Sequence, residues 1–441
     1  MKDDLRNKTI SATDAAAIVK SRDWVDFGGS FQAPVLFDRA LALRKEELEG
    51  VRIRTCVTVG PKDVLECDPE GRHFLWFNWH FSAYDRSRNV DGRCNYIPMN
   101  FGESPDYYRR FLDPVDVACF RATPMDADGW FNFGATNAHL KAMTERAKVV
   151  IVETTRAMPN VDGEQNAIHI SDVDHVIDGG DEPLSELPSA PVTDVDRRVA
   201  ATIASQIENG ACLQIGIGGM PNAVCATLKD AGLKDLGIHT EMFVDGMIDL
   251  IESGVANGSR KQMDVGKAVF TFALGSRRQY DFLDNNPAVR SYPVDYTNLP
   301  HQISRNDRVV SINNTTQIDL QGQAASESDG HRHLTGTGGQ LQFVRGAYAS
   351  KGGKSFVCLA STYERRGARR SRIVSTLTPG NIVTTPRTDM MIVVTEYGSV
   401  NLKGKSVAER ATALIGLAHP DFREDLSREA RELGLIPRHF W

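Results

Sequence analysis

The sequence predicts an α/β protein made of two tandem, similar open α/β domains. Three observations carry that expectation. Short β-branched runs alternate with longer stretches of helical period along the whole chain, the mark of parallel strands joined by crossover helices. The stretch Asp181–Thr193 (DEPLSELPSAPVT) breaks both periodicities with prolines, acids and small residues, and divides the chain almost in half. With that break as the origin, both halves repeat one order of features.

In the first half, Ile18–Leu41 (IVKSRDWVDFGGSFQAPVLFDRAL) reads as helix, polar turn, strand, Gly-Gly, then a Pro opening a helix. Asp116–Ala135 follows as a strand with a polar turn and a Gly, and VVIVETT supplies the buried-strand run Val149–Glu153. The second half repeats these in turn: Ile203–Leu228, Arg308–Ser326, then MIVVTEY, with buried strands at Cys212–Gly216 and Met391–Thr395. Helix-forming composition covers Ala200–Glu208 and Asn222–Lys229. One such match is chance-grade, but three in the same order point to a duplicated domain, with boundaries at residues 1–185 and 194–441. An interface between the halves is then the natural place for a site.

Composition narrows the function classes. The chain has 441 residues, 41% hydrophobic and 24% charged, with a formal charge of -6, so a general nucleic-acid binder is excluded and any polyanion site must be local. The opening MKDDLRNKTI has no apolar core of a signal peptide, and the longest aliphatic stretches fall far short of the roughly 20 residues of a membrane helix. A cytoplasmic protein is expected. Seven scattered cysteines without a CxxC pair signal neither a disulfide framework nor a zinc site, and Cys212 and Cys225 sit among apolar neighbours as packed thiols do.

Several segments could carry chemistry. QIGIGGMPNAV places Gly216, Gly218 and Gly219 between a strand and a proline-started helix, where backbone can approach a ligand and free N–H groups favour anions. The spacing fails the GxGxxG dinucleotide fingerprint, and a tight structural turn explains it equally. LTGTGGQLQFVRGAYASKGGKS (Leu334–Ser355) is rich in glycine but is no Walker loop, since Tyr348 stands where the first glycine is required. A main-chain nest for an oxyanion or for a large phosphorylated ligand stays open beside a plain surface loop. Arg365, Arg366, Arg369, Arg370 and Arg372 crowd together downstream, fit either for phosphates or for a solvated helix face. In LGIHTEMFVDG, Glu241 beside His239 could be a base, a nucleophile or an ion-pair partner. His331 and His333 lack the partners of a metal site, and no metal is expected. No GxSxG elbow is present.

Taken together these pieces resemble the acetyl-CoA hydrolase/transferase family of class I CoA-transferases, in its butyryl-CoA:acetate and 4-hydroxybutyrate CoA-transferase branch. The matching stretches run nearly end to end: RDWVDFGG (Arg22–Gly29), WHFSAYDR (Trp79–Arg86), CNYIPMNF (Cys94–Phe101), GIGGMPNAV, GIHTEMFVDG, GTGGQLQFVRGAYASKGGKS, VVTEYGSVNLKGKS (Val393–Ser406) and LAHPDFREDL (Leu417–Leu426). In this order and number they are highly specific.

The resemblance implies two α/β domains of the class I CoA-transferase type, with the catalytic glutamate and CoA site in the second and the acyl pocket on the side of the first. It implies Glu241 as covalent nucleophile. CoA contacts are implied at Gly216, Ile217, Gly218, Gly219 and Met220, at Asn313 and Gly336, and at Lys354. Oxyanion donors are expected near Gly336 and Gly338, and acyl-pocket residues at Phe31 and Gln32. The expected substrates are an acyl-CoA (acetyl-, butyryl-, 4-hydroxybutyryl- or succinyl-CoA) and a small carboxylic acid, including short dicarboxylates such as itaconate. CoA enters as a substrate, no cofactor is tightly bound, and a homo-oligomer is the family expectation. The alternative within the fold is an acetyl-CoA hydrolase, in which water rather than a carboxylate discharges the intermediate.

Overall fold

The structure is a computed structural model that describes residues 2–187, 191–216 and 218–439. The chain divides into two compact units, Met1–Pro188 with Val269–Thr297, and Ser189–Ala268 with Asn298–Trp441. This differs from the single cut expected between residues 185 and 194, because the segment from Val269 to Thr297 belongs to the first unit. The physical reason is visible around Asn137. Its N–H donates to Thr271 O at 2.9 Å, its side-chain amide donates to Ser291 O at 3.1 Å, and Val294 packs with Leu140 and Met143 in the same core.

The first unit is built on a seven-stranded sheet of β1 (Trp24–Phe27), β2 (Val51–Thr55), β3 (Phe74–Asn78), β4 (Cys94–Tyr96), β5 (Val115–Ala122), β6 (Ala147–Thr154) and β7 (His175–Asp178), in the order β4-β3-β2-β1-β5-β6-β7. All six pairings are parallel. A parallel sheet is covered on both faces, so its strands need no polar side. In β5, Val117 and Cys119 enter one core with Phe27 and Trp76, while Ala118 and Phe120 enter the other with Phe131 and Val152. Helix α1 (Leu36–Ala42) follows β1 after a short turn, and its first free N–H groups are met by Glu153, whose carboxylate accepts from Val35 N at 2.8 Å and Phe37 N at 3.0 Å.

The second unit has a six-stranded sheet: β8 (Cys212–Ile215), β9 (Gly237–Ile238), β10 (Val309–Asn314), β11 (Lys354–Cys358), β12 (Ile392–Thr395) and β13 (Gly398–Asn401), in the order β9-β8-β10-β11-β12-β13. Only β12 and β13 pair antiparallel. Helix α2 (Asp194–Ala204) begins earlier than the expected Ala200–Glu208, because Thr193 and Asp196 form a capping box. The expected linker from Asp181 to Thr193 holds three residues, 188 to 190, outside the described set. Helix α3 (Gly219–Asp230) follows β8, the short helix α4 (Pro300–Ile303) precedes β10, and α5 (Gln340–Ala349) precedes β11. In both sheets the chain runs to one side of its first strand and later returns to the other, which leaves a crevice at the carboxyl ends of β1 and β5, and of β8 and β10.

The duplication is real at two of its three matches. β1 and β8 hold equivalent places, as do β5 and β10. The third match is one strand out of step: VVIVETT forms β6, beside β5, whereas the strand beside β10 is β11 (KSFVC) and MIVVT lies one place further. Among the described residues no helix is long and apolar enough to cross a membrane.

Candidate active site

Glu241 lies just beyond the carboxyl end of β9. The chain bends there because the Thr240 hydroxyl donates to Met242 O at 3.0 Å, closing a tight local turn, while His239 N still pairs with Leu213 O on β8 at 3.0 Å. Glu241 itself is half-buried, unlike the fully buried His239 and Thr240 on its N-terminal side. Its carboxylate accepts a short hydrogen bond from Asn298 Nδ2 and another from the backbone N–H of Gly339. Burial pushes its carboxyl up from 4.5 to about 7 against the pull of those two donors.

Both donors are placed by one packing contact. Gly339 is the residue before α5, so its N–H is among the unpaired donors at that helix's start. A Cβ there would lie 2.2 Å from Glu241 Oε2 and 2.4 Å from Asn298 Nδ2, and only glycine leaves room for the carboxylate. Further along α5, a Cβ at Gly346 would lie 2.6 Å from Ile303, so α4 and α5 are in backbone-close contact. Asn298 stands at the entrance to α4 and Gly339 at the entrance to α5. Neither donor was singled out by the sequence reading. GTGGQ drew attention to Gly336 and Gly338, which are buried in the same loop, with Gly338 at a φ of 56°. Asn298 sits in YTNLP with no motif around it.

The loop is anchored from behind. Glu327, 4% exposed, accepts from the Thr337 hydroxyl at 3.2 Å and the Thr384 hydroxyl at 2.9 Å, and its backbone oxygen accepts from Leu334 N at 2.8 Å. The residues from Leu334 to Gly339 are therefore held at both ends.

The other expected site residues fall into three groups. Gly216, Gly218, Gly219 and Met220 leave the carboxyl end of β8, with Gly218 at a φ of 121° as the residue before α3; Ile217 lies outside the described residues. A Cβ at Gly216 would be 3.9 Å from Asn313 Oδ1, and one at Gly218 would be 3.6 Å from Asn314 Nδ2, so this turn and the end of β10 face each other across the crevice. There Asn313 exchanges two hydrogen bonds with Gln214, at 3.0 and 3.2 Å. Lys354 is separated from all of these. It begins β11, level with Val310, and its ammonium donates to Gln206 O at 2.8 Å and Glu208 at 3.1 Å at the opposite edge of the sheet. Parallel strands put their N-terminal and C-terminal residues on opposite edges, and Lys354 is on the wrong one for a ligand at Glu241.

Phe31 and Gln32 belong to the first unit. Phe31 is buried edge-on against Tyr280 at 5.4 Å, and the Gln32 amide nitrogen donates to Phe133 O and Thr136 O at 2.6 and 2.7 Å. The arginine cluster forms a β-hairpin, Thr362–Arg365 paired with Ala368–Ser371, rather than a helix face.

A half-buried carboxylate near neutrality, with the Asn298 amide on one oxygen and the Gly339 N–H beside the carboxyl group, at the mouth of a parallel sheet, is equipped for nucleophilic attack and for stabilising an oxyanion on its own carbon when it is attacked in turn. The sequence profile of the acetyl-CoA hydrolase/transferase N-terminal domain matches residues 2–187, and that of its C-terminal domain matches residues 275–430. The chain is 44% identical over 434 residues to butyryl-CoA:acetate CoA-transferase from Anaerostipes caccae, covering 98% of this chain and 97% of that protein. It is 40% identical over 429 residues to 4-hydroxybutyrate coenzyme A transferase from Clostridium kluyveri, covering 97% and 98%. The crystal structure of RipA from Yersinia pestis superposes with a TM-score of 0.91 at 38% identity over 99% of each chain.

Proposed function

The chain belongs to the acetyl-CoA hydrolase/transferase family, and from that membership and the placement of Glu241 we propose an acyl-CoA:carboxylate CoA-transferase that works through a glutamyl-CoA thioester. The observation that supports this reading most is the pair of N–H donors, from Asn298 on Oε2 and from the Gly339 backbone, at the carboxyl group of a half-buried glutamate.

The chemistry follows from that arrangement. The Glu241 oxygen not held by Asn298 attacks the thioester carbonyl, the C–S bond breaks, and a mixed acyl-glutamyl anhydride forms with CoA leaving as thiolate. The thiolate then attacks the glutamyl carbonyl carbon, expelling the first carboxylate and leaving a glutamyl-CoA thioester. An incoming carboxylate reverses both steps and leaves as the new acyl-CoA. In the steps at the glutamyl carbon, the oxygen held by Asn298 becomes the oxyanion, with the Gly339 N–H beside it. The donors are thus in place before charge develops, and one such donor lowers the barrier by about 3 to 4 kcal/mol. CoA serves as a substrate, and no bound cofactor takes part.

The named relatives act on butyryl-CoA with acetate and on 4-hydroxybutyrate. We assign this chain a short-chain acyl donor and a small monocarboxylate or short dicarboxylate acceptor, butyrate, 4-hydroxybutyrate and itaconate among them. Cytoplasmic location and homo-oligomeric assembly belong to the same reading and rest on resemblance. The test is a panel of carboxylates offered with one acyl-CoA donor, following new acyl-CoA and free CoA together. New acyl-CoA formed in preference to free CoA supports a transferase. Free CoA released at the same rate with or without acceptor makes the protein a hydrolase of the same family.

A further inference from the structure

The hairpin at residues 362 to 371 leaves the carboxyl end of β11, the same edge of the sheet that carries Glu241 and the Gly216–Met220 turn. Directly opposed residues of an antiparallel pair share a face. Tyr363 opposes Arg370 and Arg365 opposes Ala368, so Arg365, Arg370 and Tyr363 lie on one face, while Glu364 and Arg369 lie on the other. Arg372 continues the first face and stacks on Tyr363 at 4.8 Å, its guanidinium pinning the hairpin base by donating to Thr316 O at 3.0 Å. Thr316 is two residues beyond Asn314, at the mouth of the crevice.

The tip is a two-residue turn of Arg366 and Gly367, with φ of 53° and 75°. Asn or Gly ordinarily takes the first of these positions, and a bulky arginine there carries strain. Arg369, on the far face, is committed to Asp421 at 3.2 Å. Arg365 pairs at 3.6 Å with Asp329, on the segment that leads into the glycine loop. The near face therefore gathers Arg365 and Arg370, with Arg366 at the tip beside them, all exposed, in a chain of net charge -6. A cluster of guanidinium groups beside a tyrosine ring matches a phosphorylated nucleotide, through paired N–H donors for phosphate oxygens and an aromatic flank for the base.

We propose that this hairpin face binds the nucleotide end of the CoA ester, the adenosine 3′-phosphate 5′-diphosphate, while the pantetheine arm runs toward Glu241. The assignment rests on the CoA-transferase reading for its ligand, but its test does not depend on turnover. Binding of adenosine 3′,5′-bisphosphate is measured by calorimetry for the parent and for a variant carrying Arg365→Gln, Arg366→Gln and Arg370→Gln. Steady-state KM is measured in parallel for an acyl-CoA and for the matching acyl-pantetheine, which lacks the nucleotide. The expected result is weakening of bisphosphate binding and a rise in KM for acyl-CoA, each by at least about tenfold, with kcat and the KM for acyl-pantetheine unchanged. Equal bisphosphate affinity in parent and variant, no binding by the parent, or an equal rise in both KM values would overturn the assignment. A protein that turns over no CoA ester but binds the bisphosphate through these arginines would contradict the proposed function and leave the hairpin site standing.

Discussion

At the scale of single residues, the account turns on one carboxylate and two donors. Because burial holds the Glu241 carboxyl up near 7, the free enzyme gains the proposed nucleophile as pH rises through that value. For the half-reaction with acyl-CoA, kcat/KM should climb about tenfold per unit below pH 7 and level above it. Stability should move the other way. A carboxyl raised from 4.5 to about 7 favours the folded state below pH 4.5 and loses that advantage as the pH rises through 7. Glu241→Gln, which has no charge to bury, should therefore gain about 3 kcal/mol relative to the parent at pH 8. Thermal unfolding at pH 8 and pH 5 checks this: the variant's margin in Tm should shrink at the lower pH.

Gly339→Ala gives a clean steric test, because the backbone there has a φ of -100° that alanine adopts freely, and the new methyl would meet the Glu241–Asn298 pair, 2.2 Å from Glu241 Oε2 and 2.4 Å from Asn298 Nδ2. It should lower kcat by at least about a hundredfold with circular dichroism unchanged. Asn298→Ala should cost a similar factor and also move the acidic limb of the pH profile upward, since the carboxylate loses a donor. The sequence singles out Glu241 because its motif is dense and specific. It does not single out Asn298, because one amide in an unpatterned stretch meets Glu241 only when the chain folds the two distant residues together. Lys354 shows the converse: its neighbourhood in sequence is rich in glycine and basic residues, but the strand it begins carries it to the far edge of the sheet.

At the scale of elements, turn glycines and buried strands were readable because each is a local requirement. Val149–Glu153, Cys212–Gly216 and Met391–Thr395 all mark strands of the two sheets. Helix starts were less so: Thr193 and Asp196 fix α2 earlier than composition suggests. The third repeat match slipped by a strand because apolar parallel strands look alike and only the order of pairing distinguishes them. The glycine loop depends on Glu327, which no motif highlights and which touches the loop through Thr337. Glu327→Ala should lower kcat with little change in KM for acyl-CoA, and should shift the pH limb as Asn298→Ala does. A merely structural role would lower Tm and leave the pH limb in place.

For the molecule as a whole, a linear cut was legible and the actual partition was not. Composition shows where the chain breaks, whereas membership of a unit depends on contacts between distant segments. A fragment of residues 1–185 lacks the segment that meets Asn137 and supplies Val294 to the core. It should fail to unfold cooperatively, and joining residues 269–297 to it through a flexible linker should restore a thermal transition. The central claim is reached most directly by mass spectrometry of the protein after incubation with an acyl-CoA and no acceptor. The account predicts a CoA adduct on the peptide bearing Glu241, discharged on adding a carboxylate and absent in Glu241→Gln. No adduct at Glu241, together with full activity in Glu241→Ala, would contradict it.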